Sequence, residues 1–504
     1  MPAIAAASAS SLPVARSRVG ALPLILVLVL QLGLGLFLAA RVPLVDPDEG
    51  RNAEIAREMV VTHDFVVPHL AGMPYLDKPP ALFWAGAAAI RLFGPTRWAP
   101  RLPAIFASLL TLIWIASLAR RLDAPIVAWR AAALLAVAPL FAAIGAYVIF
   151  DMPLAFCVTV VWTTLAHELI DGPWAPRRAA MFAAVALGVL LKGPIMLAWA
   201  LGGSAGVALL MRSREPFRWL GWIPGWLIVA ATAGTWFALA CARFPEYPHY
   251  AFFEESFERL TQPTFDRNQP LWFALAVLIG GALPWSLATP WNGLWRPTGR
   301  RSPSDTLPHL ALASRVATGF ALFALVFFTL SRSKLVTYLL PALPALAFLA
   351  GSAWSRYVGS GGFSRRVGFA AVLAAFPVAL WSGWHTLEVA ATRASSEPLA
   401  RAIAAESAGR PLRVRFERCY SAGADYLLNR SSDVVTPRAD ETTSIYQARY
   451  HDSLRARGLW TLHDRVDDAP PADVIVRPVP DDVALPAGAT AFFRGRNFTA
   501  YRLH

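Results

Sequence analysis

The chain predicts an all-α polytopic membrane protein of about eleven transmembrane helices, followed by a small external α/β domain. Three observations predict it. First, 56% of its 504 residues are hydrophobic and only 16% are charged, a balance that excludes an ordinary soluble protein. Second, apolar stretches of roughly 17–25 residues recur, enough to cross a hydrocarbon core of about 30 Å. Third, the composition changes after about Ala394. Long apolar runs stop there, Asp becomes frequent, and short alternating segments such as Val474-Ile475-Val476 and Ala491-Phe492-Phe493 read as strands. The expected division is therefore a membrane domain over 1–394 and an external domain over 395–504.

The expected spans are 20–40, 97–119, 126–147, 153–171, 179–192, 195–211, 219–241, 270–292, 311–330, 335–354 and 367–387, the fifth and sixth parted by Lys192-Gly193-Pro194. The first is long for a signal peptide and reads as an uncleaved anchor. Arginines fall in alternate loops: Arg16 and Arg18, Arg120 and Arg121, Arg177 and Arg178, Arg212 with Arg214 and Arg218, Arg300 and Arg301, and Arg356 with Arg365 and Arg366. Cytoplasmic loops collect basic residues, so the N-terminus is expected inside and, with an odd span count, the C-terminus outside. The net charge of +13 then reflects topology and contact with anionic membrane lipid, with no nucleic-acid partner. Cys157, Cys241 and Cys419 form no disulfide or metal spacing. Trp222, Trp226, Trp236, Trp272, Trp285, Trp291 and Trp295 cluster near span ends, as an aromatic belt does.

Lysine is nearly absent: Lys78, Lys192 and Lys334 stand beside 43 arginines. Each sits in a short polar interruption beside an apolar run. Lysine is a compact, rotatable point charge and arginine a rigid planar fork, so the three read either as sites where an anion is met by an ammonium or as lysines that snorkel at helix ends.

Two external segments carry most of the mixed charge, 45–97 and 243–269. The first opens on Asp46-Pro47-Asp48-Glu49, where Asp46 suits an N-cap and Pro47 the first helical turn. An amphipathic helix follows to Val61, with Ile55 and Met59 on one side and Glu54 and Glu58 on another, suited to the membrane interface. After Leu76-Asp77-Lys78-Pro79-Pro80 comes a second apolar helix to Phe93. The other segment holds a short helix with Glu254, Glu255, Glu258 and Arg259. A third piece, Ser331 to Tyr338, places Lys334 and Tyr338 four residues apart and on one helix face. Asp151 and Lys192 lie at the expected outer ends of spans. The tail carries no catalytic motif, and His451, His463 and His504 read as surface residues.

Pro47-Asp48-Glu49-Gly50-Arg51-Asn52-Ala53-Glu54-Ile55-Ala56-Arg57-Glu58-Met59, with Val66-Val67-Pro68-His69-Leu70 and Asp77-Lys78-Pro79-Pro80, resembles the N-terminal signature of bacterial aminoarabinose transferases. Tyr250-Ala251-Phe252-Phe253 with Glu255 and Arg259, Leu283-Pro284-Trp285 and Lys334-Leu335-Val336-Thr337-Tyr338 continue the resemblance in the family's order, over about residues 40–350. These are C-type membrane glycosyltransferases (GT-C), related to the protein O-mannosyltransferases. The resemblance implies a bacterial inner-membrane enzyme with a periplasmic site. It would move a sugar from a polyprenyl phosphate to a lipid A-like glycolipid with inversion. It implies Asp48 as the base and Asp151 as a second acid shaping the sugar site. Lys78, Arg259 and Tyr338, with Lys192 and Lys334, would surround the donor phosphate, and Glu49, Asp77 and Glu255 would support them. No nucleotide loop is present, as a lipid donor requires none. Where the family often has Glu-His-x-x-Arg, this chain has Glu255-Ser256-Phe257-Glu258-Arg259, which leaves a divalent metal open and commits to none. The alternatives are an O-mannosyltransferase-like enzyme with a protein acceptor, and a transporter or flippase. Transporters carry internal repeats and midplane sites. No repeat is seen here, and the charges gather at span ends.

Overall fold

The computed structural model describes residues 21–122, 124–258, 269–294, 306–359, 362–480 and 488–503. Among them, seven helices are long and apolar enough to cross a membrane: Leu22–Arg41, Ala99–Arg121, Asp151–Asp171, Ile223–Arg243, Pro308–Leu330, Val336–Val358 and Phe363–Arg393. Three shorter apolar helices join them, Ala81–Phe93, Pro125–Ala136 and Ile195–Met211. The chain is thus a multi-span membrane protein.

All eleven expected stretches carry helix, but two are broken. The stretch 126–147 divides into Pro125–Ala136 and Pro139–Ile144, because Pro139 has no N–H to continue the first helix. The stretch 270–292 divides into Phe273–Gly280 and Trp285–Ala288, with Pro284 between them. The span 219–241 is helical from Ile223 but loosens into a π turn over Ala230–Gly234, a widening often found at functional sites.

The N-terminal helices are α1 (Leu22–Arg41), α2 (Asp48–Thr62), α3 (Ala81–Phe93), α4 (Leu102–Arg121), α5 (Pro125–Ala136), α6 (Pro139–Ile144), α7 (Asp151–Asp171), α8 (Ala175–Lys192) and α9 (Ile195–Met211). Helix α7 packs on α4 and α8 and is buried along most of its length. Helix α9 packs on the helix Thr306–Leu330, where Gly206 and Gly319 let the backbones close: a Cβ on Gly206 would stand 2.4 Å from the Gly319 carbonyl oxygen.

Helix α2 differs from expectation in two ways. Asp46 does not cap it. The helix starts after Pro47 without a side-chain cap, and the Asp46 carboxylate instead accepts from the Ser396 amide at 2.7 Å. Nor does α2 lie at a lipid surface. It is covered by α3 and by the tail helix Ala422–Leu428, so Glu54, Arg57 and Glu58 are all buried. Arg57 pairs with Glu54 at 2.6 Å, and Glu58 accepts from the Gly72 amide at 3.0 Å. Gly72 belongs to the hairpin of β1 (His69–Leu70) and β2 (Met73–Pro74), whose two turn residues, Ala71 and Gly72, both have positive φ.

Residues beyond Arg393 contain a five-stranded mixed sheet. Its strands are β3 (Val414–Glu417), β4 (Asp433–Val435), β5 (Val474–Pro478), β6 (Thr490–Arg494) and β7 (Phe498–Arg502), in the order β4-β3-β5-β7-β6. The pairs β3–β4 and β3–β5 are parallel, and the β5–β7 and β6–β7 pairs are antiparallel. Both tail segments expected as strands are strands, β5 and β6, and β3, β4 and β7 complete the sheet.

Candidate active site

Glu49 and Arg101 fix the geometry from which the site is built. Glu49 is fully enclosed, and its carboxylate accepts from Arg101 Nε at 2.7 Å and from the Val45 and Val148 amides at 3.0 Å each. One carboxylate thus ties the start of α2 to α4 and to the segment before α7. It lines neither cavity described below.

Above this clamp, two cavities meet. One, of about 450 Å³, is apolar and runs between Leu76, Val189, Trp199, Trp226, Phe237 and Phe328. The other, of about 690 Å³, is polar and is walled by α2, the start of α7 and tail residues from Asp440 to Arg449. Asp77, Lys78, Asp151, Lys192 and Tyr338 line both. These five form the junction.

The junction is charge-balanced. Lys192 at the C-terminus of α8 meets Asp151, in the first turn of α7, at 2.6 Å, and its ammonium lies over the Tyr338 ring, 4.3 Å from the centroid. Lys78 pairs with Glu255 on the apolar side and donates to its neighbour's carbonyl, Asp77 O, at 3.0 Å. The Asp77 carboxylate accepts from the Tyr250 hydroxyl and from the Tyr446 amide, the latter at 3.0 Å. Asp48 faces only the polar cavity, with its side chain 47% exposed, and accepts from Arg51 at 2.8 Å.

Of the described residues expected from sequence, Asp48, Asp77, Lys78, Asp151, Lys192, Tyr338 and Glu255 are therefore brought together, and two, Glu49 and Lys334, are not. Arg259 lies outside the described residues. Glu49 is walled off in its clamp. Lys334 lines a separate small cavity, and it shares no helix face with Tyr338: Leu335 is extended and the short helix starts only at Val336. The aromatic-belt reading fails for Trp226 and Trp236, which line the apolar cavity, and for Trp285, which is fully buried.

Sequence reasoning missed several residues. Arg51 bridges Asp48 and the Thr443 hydroxyl, the latter at 3.0 Å; its place three residues after Asp48 was the available signal. Thr337 lines the polar cavity and Ser333 the apolar one, each with a buried hydroxyl that meets no hydrogen-bond partner among the described residues. Asp440, Thr443, Ser444 and Arg449 come from a tail without any motif, and no local pattern marks them. Among the described residues, no three His, Cys, Asp or Glu side chains gather as a metal site would require.

Comparison with known proteins follows the same lines. A family described as dolichyl-phosphate-mannose-protein mannosyltransferase matches residues 77–236. The undecaprenyl phosphate-α-4-amino-4-deoxy-L-arabinose arabinosyl transferase of Pectobacterium carotovorum is 32% identical over 326 residues, 62% of this chain and 55% of that protein. Its counterpart in Pseudomonas aeruginosa is 32% identical over 321 residues, again 55% of its own length. The chain thus spans little more than half the length of these relatives. In structure, ArnT from Cupriavidus metallidurans bound to undecaprenyl phosphate superposes with a TM-score of 0.77 at 22% identity, over 96% of this chain and 98% of that one. The apo form gives 0.73. The chain is therefore aminoarabinose-transferase-like in sequence and has the GT-C fold of ArnT.

Proposed function

We propose that this chain is an inverting membrane glycosyltransferase that moves an aminoarabinose-like sugar from a polyprenyl phosphate to a lipid A-like glycolipid. One observation carries the reading: an apolar cavity and a polar cavity share a wall of two lysines, two aspartates and a tyrosine. A polyprenyl chain suits the first cavity, a sugar and its acceptor suit the second, and the phosphate between them falls at Lys78, Lys192 and Tyr338. The names of the similar transferases, which specify an undecaprenyl phosphate sugar, support this choice of donor.

In this reading the acceptor oxygen attacks the anomeric carbon from the polar side and the carbon–oxygen bond to phosphate breaks on the other. The electron pair leaves with the phosphate, whose ester gains about one unit of negative charge. Lys78 and Lys192 stand where that charge grows, which is the position of greatest electrostatic benefit. They exchange Glu255 and Asp151 for the phosphate, and the hydroxyls of Ser333 and Thr337 are placed to add donors. Asp48 takes the proton of a hydroxyl acceptor, with Arg51 holding it in place. Asp151 and Asp77 shape the sugar site.

The finer topology belongs to the same proposal: N-terminus cytoplasmic, the junction and residues 395–504 periplasmic, the latter acting as a domain that closes the polar cavity. Reporters fused at Gly362 and after Ser395 test it, with a cytoplasmic signal expected from the first only. The activity is tested with the full chain in nanodiscs, undecaprenyl phosphate-aminoarabinose as donor and lipid A as acceptor, the product weighed by mass spectrometry. A mass increase of one aminoarabinose that Lys78→Ala abolishes is expected, and no transfer would overturn the proposal. The match to the mannosyltransferase family favours a second reading with a protein acceptor. Glycosylated peptide in place of modified lipid A would establish that one.

A further inference from the structure

Lys334 is the lysine that the junction does not use, and its surroundings differ from those of the other two. It is 5% exposed, yet its ammonium makes one hydrogen bond, to the Gln269 carbonyl oxygen at 2.7 Å. Lys78 and Lys192 are each neutralised by a carboxylate. Lys334 takes part in no ion pair among the described residues. Of its three N–H donors, two are left to face a separate cavity of about 390 Å³, also lined by Arg332, Ser331 and Thr329, with no acidic residue on its described walls. A buried ammonium without a counter-ion is costly, and a second cation beside it raises the cost until an anion arrives. Two apolar residues on the same rim, Leu271 at 68% and Leu330 at 74% exposure, give the anion's neighbourhood a hydrocarbon side.

We infer that Lys334 and Arg332 form a second anion site, separate from the junction, that takes the phosphate of an amphiphile lying beside the protein. The ligand class is a phosphate-bearing membrane lipid, either the acceptor glycolipid or a bulk phospholipid. The inference rests on the proposed function only in assigning the donor phosphate to Lys78 and Lys192.

Binding to the purified full chain is measured by native mass spectrometry with undecaprenyl phosphate, diphosphoryl lipid A, phosphatidylglycerol and inorganic phosphate. Lys334→Gln should weaken lipid A or phosphatidylglycerol at least about 10-fold while undecaprenyl phosphate binds as before. Whichever of the two lipids is affected identifies the source. Arg332→Gln, at an exposed position, should weaken the same lipid by a smaller factor and guards against a folding defect in the first variant. Unchanged lipid binding in both variants overturns the inference. So does an equal loss of undecaprenyl phosphate, which would return Lys334 to the donor site, or an effect confined to inorganic phosphate. If Lys78→Ala leaves undecaprenyl phosphate binding intact, the functional reading fails instead, and the two failures are told apart.

Discussion

Asp48 is held by one arginine and is otherwise open to the polar cavity, a setting that keeps a carboxylate both oriented and reachable. In the proposed reaction Asp48→Asn preserves size and the bond from Arg51 but removes the base. Transfer to a hydroxyl acceptor should fall about 10²–10⁴-fold with protein amount unchanged, as a rate assay normalised to immunoblot would show. A nearly normal rate would mean that the acceptor is already ionised. Lys78 offers a sharper test. It is confined between the Asp77 carbonyl and the Glu255 carboxylate, and a planar guanidinium cannot reproduce its rotating donors. Lys78→Arg should therefore lose about 10²-fold in rate, close to Lys78→Ala, the scale of one preorganised donor; parent-like turnover would contradict the special role of the lysines. At this scale the sequence was informative wherever a residue type was rare or a motif was dense, as with Lys78, Lys192 and Asp48. It was silent for Thr443 and Arg449, because an ordinary threonine or arginine becomes part of a site only when the fold carries it there.

Helix α2 is where elements are joined, and its buried charges are its fasteners. Glu49 and Arg101 are both almost completely enclosed. Arg101→Met leaves the Glu49 carboxylate buried without its counter-charge, a change that costs about 3–5 kcal/mol. The expected outcome is a clear drop in Tm and in yield. The double variant Glu49→Leu with Arg101→Met should recover much of it, because an apolar pair replaces a buried ion pair at little cost. If the single variant is as stable as the parent, the clamp contributes nothing. The amphipathic pattern of α2 was legible, but its setting was not. Glu54 and Glu58 read as a wetted face, and only the arrival of the tail helix Ala422–Leu428 makes that face an interior one.

The membrane part and the tail meet over carboxylates that burial makes reluctant to ionise. Asp46 and Asp425 are each pushed up to about 6, and Glu58 to about 7, against roughly 4 in an unfolded chain. The folded state thus binds more protons than the unfolded state in this interval. The stability these groups contribute is full below about pH 4 and is lost as pH rises through 6–7. The Tm of the full chain should therefore fall between pH 5 and 8, and Glu58→Gln should flatten that slope; a Tm rising with pH would contradict the assignment. The helical bundle itself was legible, because each of the eleven expected stretches carries helix in the structure. The two broken stretches were harder to read, since hydropathy averages over prolines that divide a helix. The joining of tail to first loop was illegible, being a contact between positions nearly 400 residues apart that no window spans. That contact has a consequence in biosynthesis. The polar cavity takes its last wall from residues 440–449, which leave the ribosome after the seven long apolar helices found among the described residues. A chain halted before that point would hold those helices and both junction lysines yet keep an unfinished chamber, so competence waits for the tail to be made.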